Sequence, residues 1–270
     1  MTDLPLKSSL KPLVTVVTVV FNDESDIAET IESVISQSFS DREYIILDGD
    51  STDSTCKIIN KYAGKIDYFT SKPDKGIYDA MNKAIKIARG RWIIFMNSGD
   101  RFFSDDILEM VFQMKIGEDV TFIYGNHQID YGKYLKDAYA GLVENLWKGL
   151  PFSHQAVFGL TEWHKKRFFE IKYRFGADFN FFASSFSEGK KFQHVDFPIS
   201  IIKAGGFSGR NAIISILERW KISRRYFRSS KVDFFYALFL VNNIVSEIAK
   251  KSLGPKVTEF IRKRKNWLNI

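Results

Sequence analysis

The sequence predicts an α/β protein: a Rossmann-like, mostly parallel central sheet flanked by helices, followed by a basic helical tail. Three observations carry that expectation. Short apolar, β-branched runs alternate with amphipathic helical patterns through the first hundred residues. Each run breaks into polar residues, at Asn22, Asp48, Asp74 and Asp100, and parallel strands would bring those ends to one edge. Beyond residue 209 the composition changes. Residues 210–270 hold 14 Lys and Arg against 4 Asp and Glu, whereas residues 1–209 hold 25 against 28.

Leu13–Phe21, LVTVVTVVF, reads as a central first strand. A helix follows from about Glu24 to Gln37, with Ile27, Ile31, Val34 and Ile35 on one face. Tyr44–Leu47 is a second strand, closed by Asp48-Gly49-Asp50-Ser51-Thr52-Asp53, where Ser51 or Asp53 can cap a helix reaching Tyr62. Ile66–Thr70 is a third strand. Lys72–Gly76 then turns into a helix over Ile77–Arg89, with Ile77, Met81, Ala84, Ile85 and Ala88 on one face. Trp92–Met96 reads as a strand buried on both faces, stopped by Asn97-Ser98-Gly99-Asp100.

Past Asp100, Ser104-Asp105-Asp106 starts a helix over Ile107–Met114, and Thr121–Tyr124 is a further strand. Residues 130–150 show weak periodicity and read as irregular. Ser153-His154-Gln155 leads into an apolar strand, again placing polar groups at a strand terminus. Asp178 is the single acid of an aromatic segment heading a helix over Phe179–Phe186. Phe192–Ile202 is a last strand, and Ala204–Gly209 a glycine-rich loop or linker.

The totals bound the function. The 270 residues can bury a large core, and 45% hydrophobic with 26% charged residues is ordinary for a globular chain. The one cysteine, Cys56, excludes an internal disulfide and a cysteine-based zinc site. The first twelve residues contain two prolines and no apolar core, unlike a signal peptide. The longest apolar run, Phe234–Val245, is interrupted by Asn242-Asn243 and too short to span a bilayer. No GxxxxGK[ST] or GxGxxG follows any strand, so a bound nucleotide would lack a glycine-rich cradle. An acidic edge with a divalent cation is the natural replacement, because the metal offsets diphosphate charge.

Five segments carry a specific resemblance: TVVTVVFNDE (15–24), IESVISQSF (31–39), EYIILDGDSTDST (43–55), SKPDKGIYDAMNKAI (71–85) and RWIIFMNSGD (91–100). In this order and spacing the chain resembles the donor half of a family 2 glycosyltransferase of the GT-A fold. The resemblance implies an inverting enzyme that moves a sugar from a nucleotide diphosphate to a hydroxyl. It further implies a GT-A unit over 1–209, with a donor half (13–100) and an acceptor half (101–209), and a separate tail over 210–270.

The same resemblance distributes roles. Phe21 and Asn22 stand where the family holds the base, with Glu24 in the same loop. Asp48 stands at the position contacting base or ribose, Asp74 and Gly76 flank the donor, and Asn82 lies on the helix behind it. Asn97–Asp100 occupies the metal-binding Asp-x-Asp position, with Asp100 its only carboxylate and Mn²⁺ or Mg²⁺ the implied cation. Gly49, in turn, replaces the second acid of the usual Asp-Asp-Gly-Ser pattern. His154 and Gln155 match a His-Gln that could touch acceptor, diphosphate or metal. Asp178 matches the catalytic base, with Glu170 in reserve and Asp196 behind it. Aromatic surroundings would raise the pKa of Asp178 and improve it as a proton acceptor.

Each residue also has a structural alternative. Phe21 would be core, Asn22 and Asp53 helix caps, Asp74 a turn former after Pro73, His154 a hydrogen-bonded core histidine, and Asp178 an N-cap. The tail reads as helices over Asn211–Phe227, Phe234–Ile248 and Lys256–Asn269, with basic residues beside Trp and Phe, as an interfacial helix requires. The alternative is a helical subdomain packed on the body or on a second copy in a homodimer. The whole reading is a cytoplasmic enzyme on the inner face of the cell membrane, in bacterial polysaccharide or lipopolysaccharide assembly. Its donor is expected to be a UDP-sugar ahead of GDP- or dTDP-sugars, its acceptor a glycan or lipid-linked glycan, and nucleic acid is not a partner. Two rivals remain: a nucleotide-sugar-binding protein without catalysis, and a membrane or nucleic-acid module built on the tail.

Overall fold

In the computed structural model, residues 11–205 and 212–245 are described. β1 (Val14–Val20) is buried along its whole length, as its β-branched apolar run requires. It lies between β2 (Arg42–Asp48) and β4 (Trp92–Phe95), parallel to both, and β3 (Tyr68–Ser71) extends the sheet beyond β2. The register puts Val20 opposite Asp48 and Asp48 opposite Ser71. The expected convergence of strand ends is therefore present in this half.

Helices α1 (Ile27–Ile35), α2 (Thr55–Lys61) and α3 (Ile77–Ile87) connect these strands. α1 buries Ile27, Ile31 and Val34; α3 buries Ala80, Met81, Ala84 and Ile85 but leaves Ile77 exposed. After α3 the chain approaches β1 so closely at Gly90 that a Cβ there would lie 2.4 Å from the Thr15 nitrogen. Buried Glu43 ties this corner together, accepting from Thr15 Oγ1 (2.6 Å) and pairing with Arg89 Nε (2.6 Å).

Beyond β4 the sheet becomes mixed. Its order is β3-β2-β1-β4-β8-β6-β9-β5, where β5 is Arg101–Phe102, β6 Val120–Asp130, β8 Val157–Leu160 and β9 Lys191–Lys203. β8 runs antiparallel to β4 and β6, β9 is parallel to β6, and β5 is antiparallel to β9. An apolar run reports burial and not direction, so the parallel pattern of the first hundred residues does not extend to the second half. Residues 130–150 are more regular than their composition suggests: β7 (Leu135–Ala138) pairs with the polar outer half of β6, and Val143–Lys148 forms a 3₁₀ helix. Backbone pairing on an exposed edge leaves little hydrophobic signature.

The remaining elements are α4 (Ile107–Gln113), a 3₁₀ turn at His154–Ala156, α5 (Thr161–Lys166), α6 (Ala177–Ser187) and α7 (Ala212–Phe227), with a further helix, α8, over 230–245. α7 is bonded to the body and is not a detached tail. Glu218 accepts from the Arg174 and Phe175 backbone amides (3.0 and 2.8 Å), Ser223 Oγ donates to the Trp147 carbonyl (2.9 Å), and Ile222 is fully buried. The packed body thus extends past residue 209. Most of the loop expected at Ala204–Gly209 and the helix expected at Lys256–Asn269 lie outside the described residues.

Candidate active site

The strand order reverses between β1 and β4, because β2 and β3 lie to one side and β4 to the other. Open α/β sheets bind ligands at such a switch, outside the carboxyl ends of the strands. Here the β4 turn runs alongside the end of β1: Met96 N donates to the Val17 carbonyl and Ser98 N to that of Val19.

On the β1–β2 side, most of the polar atoms bind one another. Asn22, in the left-handed region at φ 48°, donates its amide to Ser51 Oγ (2.7 Å) and accepts from Thr52 N (2.8 Å). Glu24 accepts from Ser54 N, and Asp53 accepts from Glu24 N and Thr55 N. Asp48, only 3% exposed, accepts from Ser51 N and Oγ, Ser71 Oγ (2.6 Å) and Cys56 Sγ (3.1 Å). Its four donors make Asp48 the organiser of this loop. Asn82 is likewise engaged, because its amide clamps both backbone groups of Phe169 (2.9 Å each).

Two expected donor residues remain open. Phe21 is 62% exposed, so it is not core. Asp74 accepts from Gly76 N (2.7 Å), and its other oxygen lies where a Gly49 side chain would be, 2.8 Å from the ideal Cβ. The Phe21 ring bounds the same point at 3.4 Å. Gly49 therefore leaves room for the Asp74 carboxylate beside the Phe21 ring. Gly76 (φ 108°) starts α3 in a conformation that L side chains rarely adopt.

The β4 turn is the charged centre. Asp100 is 6% exposed, accepting from Gln155 Nε2 (2.9 Å) and from the Lys203 backbone amide (3.1 Å). Burial pushes its carboxyl up to about 6, against the lowering effects of Gln155, the Lys203 amide and His154. Asn97 Nδ2 lies 3.2 Å from His154 Nε2, while Asn97 Oδ1 is buried without a hydrogen-bond partner. Asp23 stands on the opposite wall, its Oδ2 3.9 Å from an ideal Gly99 Cβ, and burial raises its carboxyl too. Lys203 Nζ pairs with Asp26. Sequence reading missed Asp23 and Lys203. Asp23 sits inside the quoted FNDE motif, and Lys203 one residue past the last predicted strand.

These residues suit a divalent cation shared with a substrate. The orphaned Asn97 oxygen and the Asp100 carboxylate are hard donors of one turn, and each Asp100 oxygen keeps a lone pair beyond its hydrogen bond. Among the described residues no three His, Cys, Asp or Glu side chains gather as a metal cage. Substrate phosphates and water would complete the shell of a cation held there.

His154 links this turn to Asp178. Its Nδ1 lies 3.3 Å from Asp178 Oδ2, while Asp178 Oδ1 accepts from Tyr78 OH (3.1 Å) and Phe179 N (2.7 Å). With Nδ1 donating to the carboxylate, Nε2 presents its lone pair to the Asn97 amide. Gln155 completes the bridge, accepting from Ser153 Oγ and donating to Asp100. Gly176 caps α6, so Asp178 stands within the first turn and is not its cap. Burial alone would raise Asp178, but His154, the Phe179 amide and Arg219 outweigh it and hold the carboxyl below its ordinary value. The expected upward shift is therefore corrected. Its cause lies in tertiary partners, not in the aromatic neighbours along the chain. Of the reserves, Glu170 is tied to Lys172, Asn180 and Arg225, and Asp196 accepts from Asn126.

A cavity of about 320 Å³ opens beside Asp178, lined by His127, Pro151, Phe152, His154 and Arg219. The site thus combines an acidic ledge at the switch point, an ionised carboxylate facing a cavity, and an imidazole bridging the two. It can hold a charged, metal-chelating ligand on one side and take a proton from a second ligand on the other.

Residues 15–191 match the model of Glycosyl transferase family 2. The chain is 34% identical over 118 residues to the Escherichia coli UDP-Glc:alpha-D-GlcNAc-diphosphoundecaprenol beta-1,3-glucosyltransferase WfgD, a match covering 43% of this chain and 46% of that one. The chain thus spans under half the length of that relative. The fold is shared with Staphylococcus aureus TarS 1-349 in complex with UDP-GlcNAc (TM-score 0.62, 16% identity, covering 79% of this chain and 71% of that one). It is also shared with the mannosyltransferase PcManGT of Pyrobaculum calidifontis in complex with GDP-Man and Mn²⁺ (TM-score 0.65, 12% identity, covering 98% and 82%). With the family model matching well over half of its residues, the chain belongs to glycosyl transferase family 2.

Proposed function

We propose that the protein is an inverting glycosyltransferase that moves a sugar from a nucleotide-diphosphate sugar to a hydroxyl of a lipid-linked glycan in cell-surface polysaccharide synthesis. The observation that carries this reading is the His154 bridge: Asp178 and the Asn97–Asp100 turn are held on either side of one imidazole. Phe21 and Asp74 bound the slot for the base, and a UDP-sugar is favoured by the names of the E. coli relative and the TarS complex. Asp178 accepts the proton of the acceptor hydroxyl while that oxygen attacks the anomeric carbon. The bond from that carbon to the diphosphate oxygen breaks on the opposite face, inverting the centre. Tyr78 and the Phe179 amide keep Asp178 aimed, and His154 keeps it ionised. Asn97 and Asp100 would hold Mn²⁺ or Mg²⁺, which supplies positive charge to the departing diphosphate when bound.

The test is a panel of UDP-, GDP- and dTDP-sugars, read by thermal shift and by donor hydrolysis with and without Mn²⁺. UDP-sugars should stabilise the protein and be turned over. Stabilisation without hydrolysis or transfer would favour a binding protein instead.

A peripheral membrane site fits the same reading. Among the described residues no helix is long and apolar enough to cross a membrane. α8 exposes Phe234, Leu238, Val241 and Val245 at helical spacing, and the basic Lys221, Arg224 and Lys231 lie on α7 and at the start of α8. We expect the protein to co-sediment with phosphatidylglycerol vesicles and to be released as salt rises. Equal binding to neutral vesicles, unaffected by Phe234→Ser with Leu238→Ser, would remove this surface from the account.

A further inference from the structure

Arg219 is the one α7 side chain facing the cavity beside Asp178. Its neighbours on the helix are occupied by the fold: Glu218 by two backbone amides, Trp220 and Arg224 by Asp233, and Arg225 by Glu170. Arg219 is half-buried and makes no hydrogen bond or close ion pair among the described residues, while its charge acts on Asp178 and helps hold that carboxyl down. On the same cavity, His127 Nδ1 is buried and lacks a hydrogen-bond partner among the described residues. Burial pushes that imidazole down to about 4, so at neutral pH it offers a hydrogen bond and not a charge.

A ligand that fills the cavity would desolvate both nitrogen groups, which is costly unless the ligand pairs them. Asp178, the cavity's one carboxylate, is held by Tyr78, Phe179 and His154. A phosphate matches the planar fork of a guanidinium. The placement is also built in advance, because Glu218 clamps α7 to the backbone of Arg174 and Phe175, just ahead of α6 and Asp178. The apolar wall of Pro151 and Phe152 leaves room for a sugar face beside the anion.

We propose that this cavity is the acceptor subsite and that Arg219, with His127, binds a phosphate carried by the acceptor, so that the acceptor hydroxyl reaches Asp178. The inference rests on the transferase reading and names its acceptor class: a sugar joined to a phosphate, and not a free or purely neutral glycan. It also gives α7 a task, since the helix from the basic segment completes the site.

The test uses the full chain and N-acetylglucosamine 1-phosphate as the probe, with methyl N-acetylglucosaminide as the uncharged control. Binding is measured by calorimetry with and without saturating UDP. Wild type should bind the phosphorylated sugar and discriminate against the control. Arg219→Ala should weaken that binding by roughly tenfold to a hundredfold, and Arg219→Lys should fall between, since an ammonium keeps the charge and loses the fork. Affinity for UDP should stay the same in both variants. Unchanged affinity of Arg219→Ala for the probe would overturn the proposal. So would a matching loss of UDP affinity, which would assign Arg219 to the donor's own phosphates. Failure of wild type to bind UDP would instead sink the transferase reading, with the arm lacking UDP still reporting on Arg219.

Discussion

Asp178→Asn should lower kcat by roughly 10²–10⁴-fold, the usual contribution of a positioned general base, with little change in UDP affinity. That corresponds to about 3–5 kcal/mol of barrier. The substitution keeps the size of the side chain and an oxygen for the Phe179 amide, so the start of α6 should survive. What it removes is the charge facing His154 and the lone pair that receives the proton. The pH profile gives a second readout. Asp178 lies below its ordinary value, held there by His154, the Phe179 amide and Arg219 against the upward pull of burial. It is therefore ionised throughout the neutral range, and any acid limb it causes should lie below the ordinary carboxylate range. An unaltered kcat in Asp178→Asn would remove Asp178 as the base and leave the imidazole of His154, on the same cavity, as the group to test.

Asp100→Asn should abolish the thermal shift given by Mn²⁺ with UDP, and with it cation-dependent turnover. Its effect on stability without ligand should be small, for a reason the magnitudes decide. Burial lifts the carboxyl from 3.8 to about 6, so keeping it charged at neutral pH costs the fold on the order of 3 kcal/mol. Asparagine relieves that cost but leaves one of two donors, Gln155 Nε2 or the Lys203 amide, without an acceptor, at about 1–3 kcal/mol. The two nearly cancel. Wild type should carry the matching pH signature. A raised native pKa means that protonation favours the folded state, so this contribution is present at low pH and lost as pH rises through about 6. A cation takes only the ionised form. Its stabilising shift should therefore be full at pH 7 and above, and apparent affinity should drop about tenfold per unit below 6. A shift that is flat from pH 5 to 8 would place the cation elsewhere.

Much of this site was legible before any coordinates, for a reason specific to parallel sheets. Polar residues that end consecutive apolar runs must share an edge, and Asn22, Asp48 and Asp100 do, with Asp74 leaning in over Gly49. What each of them does there was less legible, because that depends on partners distant in the chain. Asp48 is satisfied by Ser51, Cys56 and Ser71, and Asn82 by the backbone of Phe169. Residue type marks both as ligand-seeking, and only the fold shows that the protein itself holds them. The direction of the Asp178 shift was hidden in the same way, since its aromatic neighbours in sequence matter less than His154 across the cavity. Arg219 was the least visible. It lies in a run of basic residues that reads as one charged face, and only the docking of Glu218 and Ser223 separates it from the others.

The most direct test is a crystal structure of the protein with UDP and Mn²⁺. Uracil should lie against Phe21 and Asp74, and the cation between Asn97, Asp100 and the diphosphate, with the cavity at Asp178 and Arg219 left free for the acceptor. A nucleotide bound away from the carboxyl ends of β1 and β4, or diphosphate filling the Arg219 cavity, would contradict the account.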